Sequence, residues 1–521
     1  MSIIAIPLQP PTLAQRNWRP LFWLCSIIAL LVLQLASGTE PRFALLVTLF
    51  LLLTYATIKE LGGIGTFTGF CVFYLVLQNV LVSQIAKAFF WEPADSLLQQ
   101  PLTTIGVYVC AISGIYLAAV FTRRLCPLRR QPLFLPITDP TRLMWLAYVS
   151  MGLFILQMVF MRTQSMGAVS SLAGALALIG PLSMASGTAF AITASRGRKS
   201  IGFVNSVTFL LMLLGGILSG SREGITGGTM IYIVTCLAFR FRFRFIHYAV
   251  LISGALIAVY ILLPYALLAR SSVRTPDMAR NIKTASTLLL DIASDPLNYQ
   301  RAKKEHVDTN TERAYKYYTK PNPSLDRFSL IKVTDGIVDA TLREGTFGMK
   351  TVTPGFTMPI PRVLLPNKED FQSYDVSNIL AHREPGLVNR NDHTTGITTG
   401  FTSDAFSSYG WAGAFLIPFL ILTAWFWIMR FLIQDSLSMN VFGAALVLIL
   451  AHGLSESPIA AQISAVIQGP PLISLSLWAI LRLSAFATRT QAKIQSAKRQ
   501  AVVRDRSEVL GSRLLTRRRH G

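Results

Sequence analysis

The run Gly220-Ser221-Arg222-Glu223-Gly224 breaks two long apolar stretches with a guanidinium and a carboxylate. Charge at such a place is costly to bury, so it is either paired locally or kept for a ligand. In the first reading Arg222 simply meets Glu223 in a short hairpin. In the second, Arg222 offers a planar fork of donors suited to phosphate oxygens. Further cations, Arg327, Arg362, Lys368, Arg383 and Arg390, lie in the long polar segment 270–408. Arg362 and Lys368 stand in Pro359-Ile360-Pro361-Arg362-Val363-Leu364-Leu365-Pro366-Asn367-Lys368, where proline restricts the backbone and limits side-chain wandering. Other chemistries lack local support. There is no GxxxxGK[ST], HExxH, CxxC or GxSxG motif, and the six histidines lack metal-ligand spacing. No metal or cofactor is expected.

The elements that must position these groups are apolar. Charged residues make up only 14% of the chain and hydrophobic ones 52%, with a mean hydropathy of +0.48. That composition excludes an ordinary soluble enzyme, since soluble domains are typically about 25% charged. The five cysteines lie in apolar runs or, for Cys126, a basic loop, and none calls for a disulfide. Twelve stretches meet or approach the ~20 apolar residues that span a bilayer: 20–38, 43–58, 64–84, 103–121, 144–161, 168–194, 201–220, 225–239, 247–269, 409–432, 440–455 and 463–487. The sixth contains Gly180 and Pro181 and is expected to kink or break there.

The net charge of +22 orients these spans. Eighteen of the 48 Lys and Arg fall in 270–408; with both termini inside, 26 of the other 30 lie on the cytoplasmic side. Only Arg42, Lys87, Arg162 and Arg222 fall outside. The first apolar run is long for a cleaved signal and reads as a retained helix. The basic tail 488–521 reads as a cytoplasmic arm near anionic lipid rather than a nucleic-acid partner site. The expected fold is therefore an all-α polytopic membrane protein of about 12 transmembrane helices. Spans one to nine occupy 1–269, a large, partly helical extracytoplasmic loop 270–408, and spans ten to twelve 409–487.

That loop is near neutral, with 18 basic and 16 acidic residues. Long loops on a rigid scaffold are where function concentrates. Residues 286–293 and 325–342 read as helices, and Phe328, Ile331, Val338 and Leu342 fall on one face of the second. This face should pack on the bundle or lie in the lipid interface. The Pro-punctuated stretch 353–368 reads as an irregular connection, and the Thr/Gly-rich run 391–404 leads into the next span.

Taken together, the span–Gly220-Ser221-Arg222–span arrangement, the late outer loop, the Pro359–Lys368 run and the approach to Tyr409-Gly410-Trp411-Ala412-Gly413 resemble the oligosaccharide repeat-unit polymerases (Wzy-type). That group lies within the wider set that includes O-antigen ligases. The resemblance covers about 200 to 455, and the Arg-x10-Gly motif of some members is absent from the loop. It implies metal-independent glycosyl transfer at the outer face of a bacterial inner membrane. The donor is an undecaprenyl-pyrophosphate-linked oligosaccharide chain and the acceptor a lipid-linked repeat unit. A chain-length regulator and a flippase of the same pathway are the implied protein partners.

The physical needs of such a transfer are few. Preorganised cations, Arg222 with Arg362, Lys368, Arg327, Arg383 and Arg390, would stabilise the leaving pyrophosphate. The acceptor hydroxyl needs a general base, for which His393 and Asp392, then His382 and Asp404, are the candidates. Tyr374, Tyr409, Trp411, Phe401 and Phe406 could stack on sugars or anchor the interface. Two other readings stay open. A ligase would use a similar donor and a lipid A core as acceptor. A lipid-linked oligosaccharide transporter would want ionisable groups deep in the bundle, whereas Asp435 and Glu456 sit at span ends.

Overall fold

The computed structural model describes residues 18–125, 132–163, 177–262, 264–266, 269, 278–296, 316–319, 329–360, 364–365 and 400–518. Among these, the regular structure is entirely helical, with a single isolated antiparallel bridge between Thr66 and Ser436. Within the first part of the chain lie α1 (Trp18–Ala36), α2 (Pro41–Glu60), α3 (Phe67–Phe89), α4 (Pro101–Leu125) and α5 (Pro140–Thr163). Next come α6 (Ile179–Ala194), α7 (Phe203–Ser219), α8 (Arg222–Ala238) and α9 (Phe245–Ile257). The loop segment contributes α10 (Met278–Ser294), α11 (Leu330–Glu344) and the short α12 (Thr353–Thr357). The chain then closes with α13 (Gly400–Ile433), α14 (Val441–Glu456) and α15 (Ile459–Arg518).

Among the described residues, seven helical stretches are long and apolar enough to cross a membrane: Pro41–Glu60, Phe67–Phe89, Pro101–Leu125, Pro140–Val159, Phe245–Ala266, Gly400–Ile433 and Ile459–Gln491. Four shorter apolar helices, Leu21–Ala36, Ile179–Ala194, Phe203–Ser219 and Val441–Glu456, accompany them. A helix of 16 or 17 residues rises only ~25 Å, short of the ~30 Å hydrocarbon core, which is why these fall below the length criterion. The chain is thus a membrane protein whose described residues form helices.

The helix α2 shows the physical signature. Phe43, Val47, Phe50 and Thr54 face the interior, while Leu45, Leu49 and Leu52 point outward and stay exposed. Apolar side chains on both faces suit a helix with protein on one side and lipid on the other.

Local signals set the helix ends. Proline opens α2, α4 and α5, where its missing N–H costs nothing. Gly180 and Pro181 lie in the first turn of α6, so at the place where span six is expected to kink or break a helix begins, and 168–176 lie outside the described residues. Inside α3, Leu77–Leu81 forms a π-helical turn. The long α13 is broken at Tyr409 (φ −138°, ψ 23°) and Gly410 (φ +61°, ψ −140°). Gly410 can adopt its positive φ because it has no Cβ. The stretch 400–408, read as loop, is therefore a buried helical lead-in to the span.

The described part of the loop sits on one end of the bundle. The expectation of a single apolar face on the second loop helix is corrected: α11 is buried almost all round from Leu330 to Val338. Ile331 and Val338 are buried as expected, but Leu342 is 52% exposed, and Phe328 lies outside the described residues. The one-face pattern failed because α11 also buries Lys332, Thr334 and Asp335, which find partners on the bundle. The Pro-rich stretch is partly corrected too. Pro354 opens the single turn α12, and Gly355 packs so tightly on α15 that an added Cβ would lie 2.6 Å from Ile463 Cβ. The other expected loop helix is found within α10.

Candidate functional site beneath the loop

The hairpin between α7 and α8 is built residue by residue from its sequence. Gly220 takes the left-handed conformation (φ +60°) that ends α7. Ser221 then caps α8, its side chain accepting a hydrogen bond from the Gly224 N–H at 3.2 Å. Gly216 and Gly224 let the two backbones touch; a Cβ on Gly216 would fall 2.4 Å from the Gly224 carbonyl carbon. Arg222 and Glu223 are left as the first two residues of α8. A carboxylate suits a helix N-terminus, whereas a guanidinium there opposes the helix dipole.

Glu223 reaches across to α14. Its Oε2 lies 3.3 Å from His452 Nε2, and the other ring nitrogen, Nδ1, lies 3.6 Å from Glu456 Oε1. His452 and Glu456 share one face of α14 because they are four residues apart. Gln78 donates to the Glu456 carboxylate and accepts from the Ser455 hydroxyl at 2.7 Å. Gln78 and its neighbour Asn79 come from the π-helical turn of α3. Such turns re-aim side chains and often mark functional sites. Beyond Asn79 the polar line continues: Tyr108 on α4 bonds Asn79 Oδ1 at 3.4 Å and the Thr334 hydroxyl of α11 at 2.7 Å. A seam of polar groups thus runs from exposed Glu223, through an imidazole flanked by two carboxylates, to Gln78, whose chain neighbour Asn79 meets Tyr108 beneath the loop.

The loop is held there by two buried anchors. Asp335 accepts from the Gln99 and Gln100 N–H groups at 2.7 and 2.8 Å and from the Thr104 hydroxyl at 3.1 Å. It thereby brings negative charge to the N-terminus of α4. Lys332 meets the same carboxylate at 3.2 Å. In the second anchor, fully buried Lys87 pairs with Glu92 at 2.8 Å, donates to the Ser96 hydroxyl at 2.7 Å and lies 4.7 Å from the Tyr317 ring centroid. Partial burial works to raise the Glu92 pKa. The hydrogen bond and charge of Lys87, with the Thr319 N–H, more than offset this and hold the carboxyl below its usual range. Burial pushes the Tyr317 phenol up, and its hydroxyl donates to the Ala94 carbonyl. Lys87, an exception to the charge asymmetry of the sequence, is a docking residue.

The residues singled out in the sequence have different fates. Arg222 directly precedes Glu223, the first residue of the seam, in α8. Asp404, expected as a candidate base, is 2% exposed and accepts from the Ile459 N–H at 3.3 Å, the first amide of α15. Its neighbour Gly400 abuts the Ser455 carbonyl, so Asp404 lies beside the seam as a helix cap. Tyr409 stands at the break in α13 and is 42% exposed, with Trp411 exposed beside it. Phe401 and Phe406, in contrast, are buried and unable to stack on a ligand, because the lead-in helix turns them into the core. Arg327, Arg362, Lys368, Tyr374, His382, Arg383, Arg390, Asp392 and His393 lie outside the described residues.

Sequence reasoning missed His452, Glu456 and Gln78 as a cluster. The available signal was the His452/Glu456 spacing of four at the end of an apolar run, together with two amides inside the apolar run of α3. Among the described residues, no group of three or more His, Cys, Asp or Glu has a geometry for holding a metal ion. Chemically, an imidazole between two carboxylates can take and pass a proton, and Glu223 opens that relay toward the surface. No protein-family model, curated protein or solved structure matches the chain.

Proposed function

We propose that the chain polymerises lipid-linked oligosaccharide repeat units at the extracytoplasmic face of a bacterial inner membrane, as a glycosyltransferase with a polyprenyl-pyrophosphate leaving group. In this reading twelve helices cross the bilayer, both termini face the cytoplasm and the large loop lies outside. The observation that carries the proposal is the grouping of Glu223, His452 and Glu456 at the bundle end on which the loop packs, with Arg222 next to Glu223 in the chain. A transfer reaction needs a cation for the departing pyrophosphate and a proton acceptor for the attacking hydroxyl. Arg222 supplies the first, joined by the arginines and lysine of the loop. The Glu223–His452–Glu456 relay offers a route for the proton, alongside His393 and Asp392. Exposed Tyr409 and Trp411 offer faces to sugar rings.

The deciding experiment gives the purified protein a lipid-linked repeat unit as sole substrate. A ladder of product lengths supports polymerisation. Product formed only when lipid A core is added would make the chain a ligase, and translocation without elongation a transporter. Arg222→Ala and Arg362→Ala should each abolish elongation while the protein stays in the membrane. Full-length polymer from both variants would refute the anion-clamp role.

A further inference from the structure

At the opposite end of the bundle, the C-terminus of α6, the turn 195–202 and the N-terminus of α7 enclose, with α5, a cavity of ≈ 660 Å³. Its size matches a small-ligand or headgroup site. Arg196, Arg198 and Lys199 are exposed along its edge, and among the described residues no acidic side chain lines it. Tyr148, Phe190 and Phe203 form its apolar wall.

The turn that carries the three cations is built rather than loose. Gly197 N–H bonds the Ile192 carbonyl at 2.7 Å, and Ser195 Oγ bonds both the N–H and the carbonyl of Lys199, at 2.8 and 3.0 Å. Asn205 accepts from the Gly202 N–H at 2.6 Å and donates to the Ser200 carbonyl at 2.8 Å, and Ser200 meets the Tyr232 hydroxyl at 2.7 Å. Arg196 itself is held in the left-handed region at φ +54°. A non-glycine residue in that conformation persists only where its surroundings fix it.

Beside the cavity Ile201 and Phe203 are 60% and 68% exposed, and Tyr148 is half-exposed next to Trp145, whose indole N–H bonds Gln491 at 2.7 Å. Trp and Tyr of this kind collect where a membrane protein meets the headgroup layer. The cavity therefore combines a cationic mouth with apolar surface leading away from it. From this geometry we infer that the cavity binds a phosphate-bearing amphiphile, an anionic glycerophospholipid, with the phosphate between Arg196, Arg198 and Lys199 and the acyl chains along Phe203 and Ile201. Guanidinium forks suit phosphate oxygens. Free phosphate shares the headgroup chemistry but has no use for the exposed apolar wall. The site stands apart from the seam beneath the loop and does not depend on its activity.

The test is native mass spectrometry of the full-length protein in neutral detergent, titrated separately with phosphatidylglycerol, phosphatidylcholine and inorganic phosphate. The wild type should retain one phosphatidylglycerol in preference to phosphatidylcholine. The triple variant Arg196→Asn, Arg198→Gln, Lys199→Gln should weaken that binding by about 100-fold, from roughly a fivefold contribution per surface cation. Asparagine is chosen at 196 because it tolerates the left-handed backbone. A separate Phe203→Asn variant, with all three cations intact, should weaken phosphatidylglycerol but not inorganic phosphate. Equal retention of both lipids, or undiminished binding by the triple variant, would overturn the site. Inorganic phosphate displacing phosphatidylglycerol, with Phe203→Asn silent, would overturn its lipid nature.

Discussion

The two ends of the bundle use the same device for different purposes. At the loop end, Asp335 of α11 binds the amides leading into α4; at the other, Asp435 between α13 and α14 accepts the Thr68 N–H at 2.8 Å and its hydroxyl at 2.7 Å, capping α3. Both are buried carboxylates supplied in trans to a helix N-terminus, where unsatisfied N–H groups and the dipole favour them. Around Asp435 the polar groups go to closing the bundle: Phe67 N–H bonds the Asp435 carbonyl, and Arg430 donates to the Thr122 carbonyl at 3.0 Å. At the loop end the polar groups run on past the anchor, through Tyr108, Asn79, Gln78 and Glu456, to His452 and Glu223. That run of polar groups is what the proposed proton relay rests on.

The largest expected effect comes from breaking the loop anchor. Asp335→Ala should destabilise the docked loop by about 3–5 kcal/mol, since it leaves Lys332 and two amides without their carboxylate in a buried setting. Amide hydrogen exchange across Leu330–Glu344 would report it, and unchanged protection would refute the anchoring role. Next in size, His452→Gln should slow elongation by roughly 100-fold, the lower range for a general acid–base group, with wild-type loop protection. A variant as active as the wild type would confine the imidazole to structure.

Acidity should act oppositely on the two ends. Burial, against the hydrogen bonds from Thr68 and the charge of Arg430, pushes Asp435 up to about 6 from an ordinary 3.8. The folded state then binds more protons between those values, so this group's contribution to stability falls as pH rises from 3.8 to about 6. Glu92 is held below its ordinary 4.5, so its contribution is present above that value and lost as pH falls through the lower folded value. Proteolysis of the loop should accelerate in that acid range in the wild type. Thermal unfolding of Asp435→Asn should lose the dependence between 3.8 and about 6. Finally, Tyr409→Ala should shift stability by no more than about 0.5 kcal/mol, because the ring is 42% exposed, and any loss should fall on substrate affinity.

The legible parts of this protein follow from one-dimensional physics. Apolar run length placed the helices, because lipid or core must cover every turn between 41 and 60 or 101 and 125. Gly220 and Ser221 announced a helix end and a helix start by their backbone and capping chemistry, and Arg222 stood out as a charge in an apolar setting. The loop helix was visible, but its burial was not, since the partners that cover Asp335 and Lys332 come from residues 97–104, far away in the chain. Phe401 and Phe406 read as boundary aromatics because nothing local reveals that the helix before Gly410 turns inward.

Sequence by itself thus determined the class of the molecule, the positions of most helices and the unusual cation at 222. Only the tertiary structure decided that Glu223, His452, Glu456 and Gln78, drawn from three helices, form one seam. Charge and hydropathy are properties of a segment and can be read along the chain. A proton relay depends on side chains hundreds of residues apart coming within hydrogen-bond reach, and that distance is fixed by how α3, α8 and α14 pack.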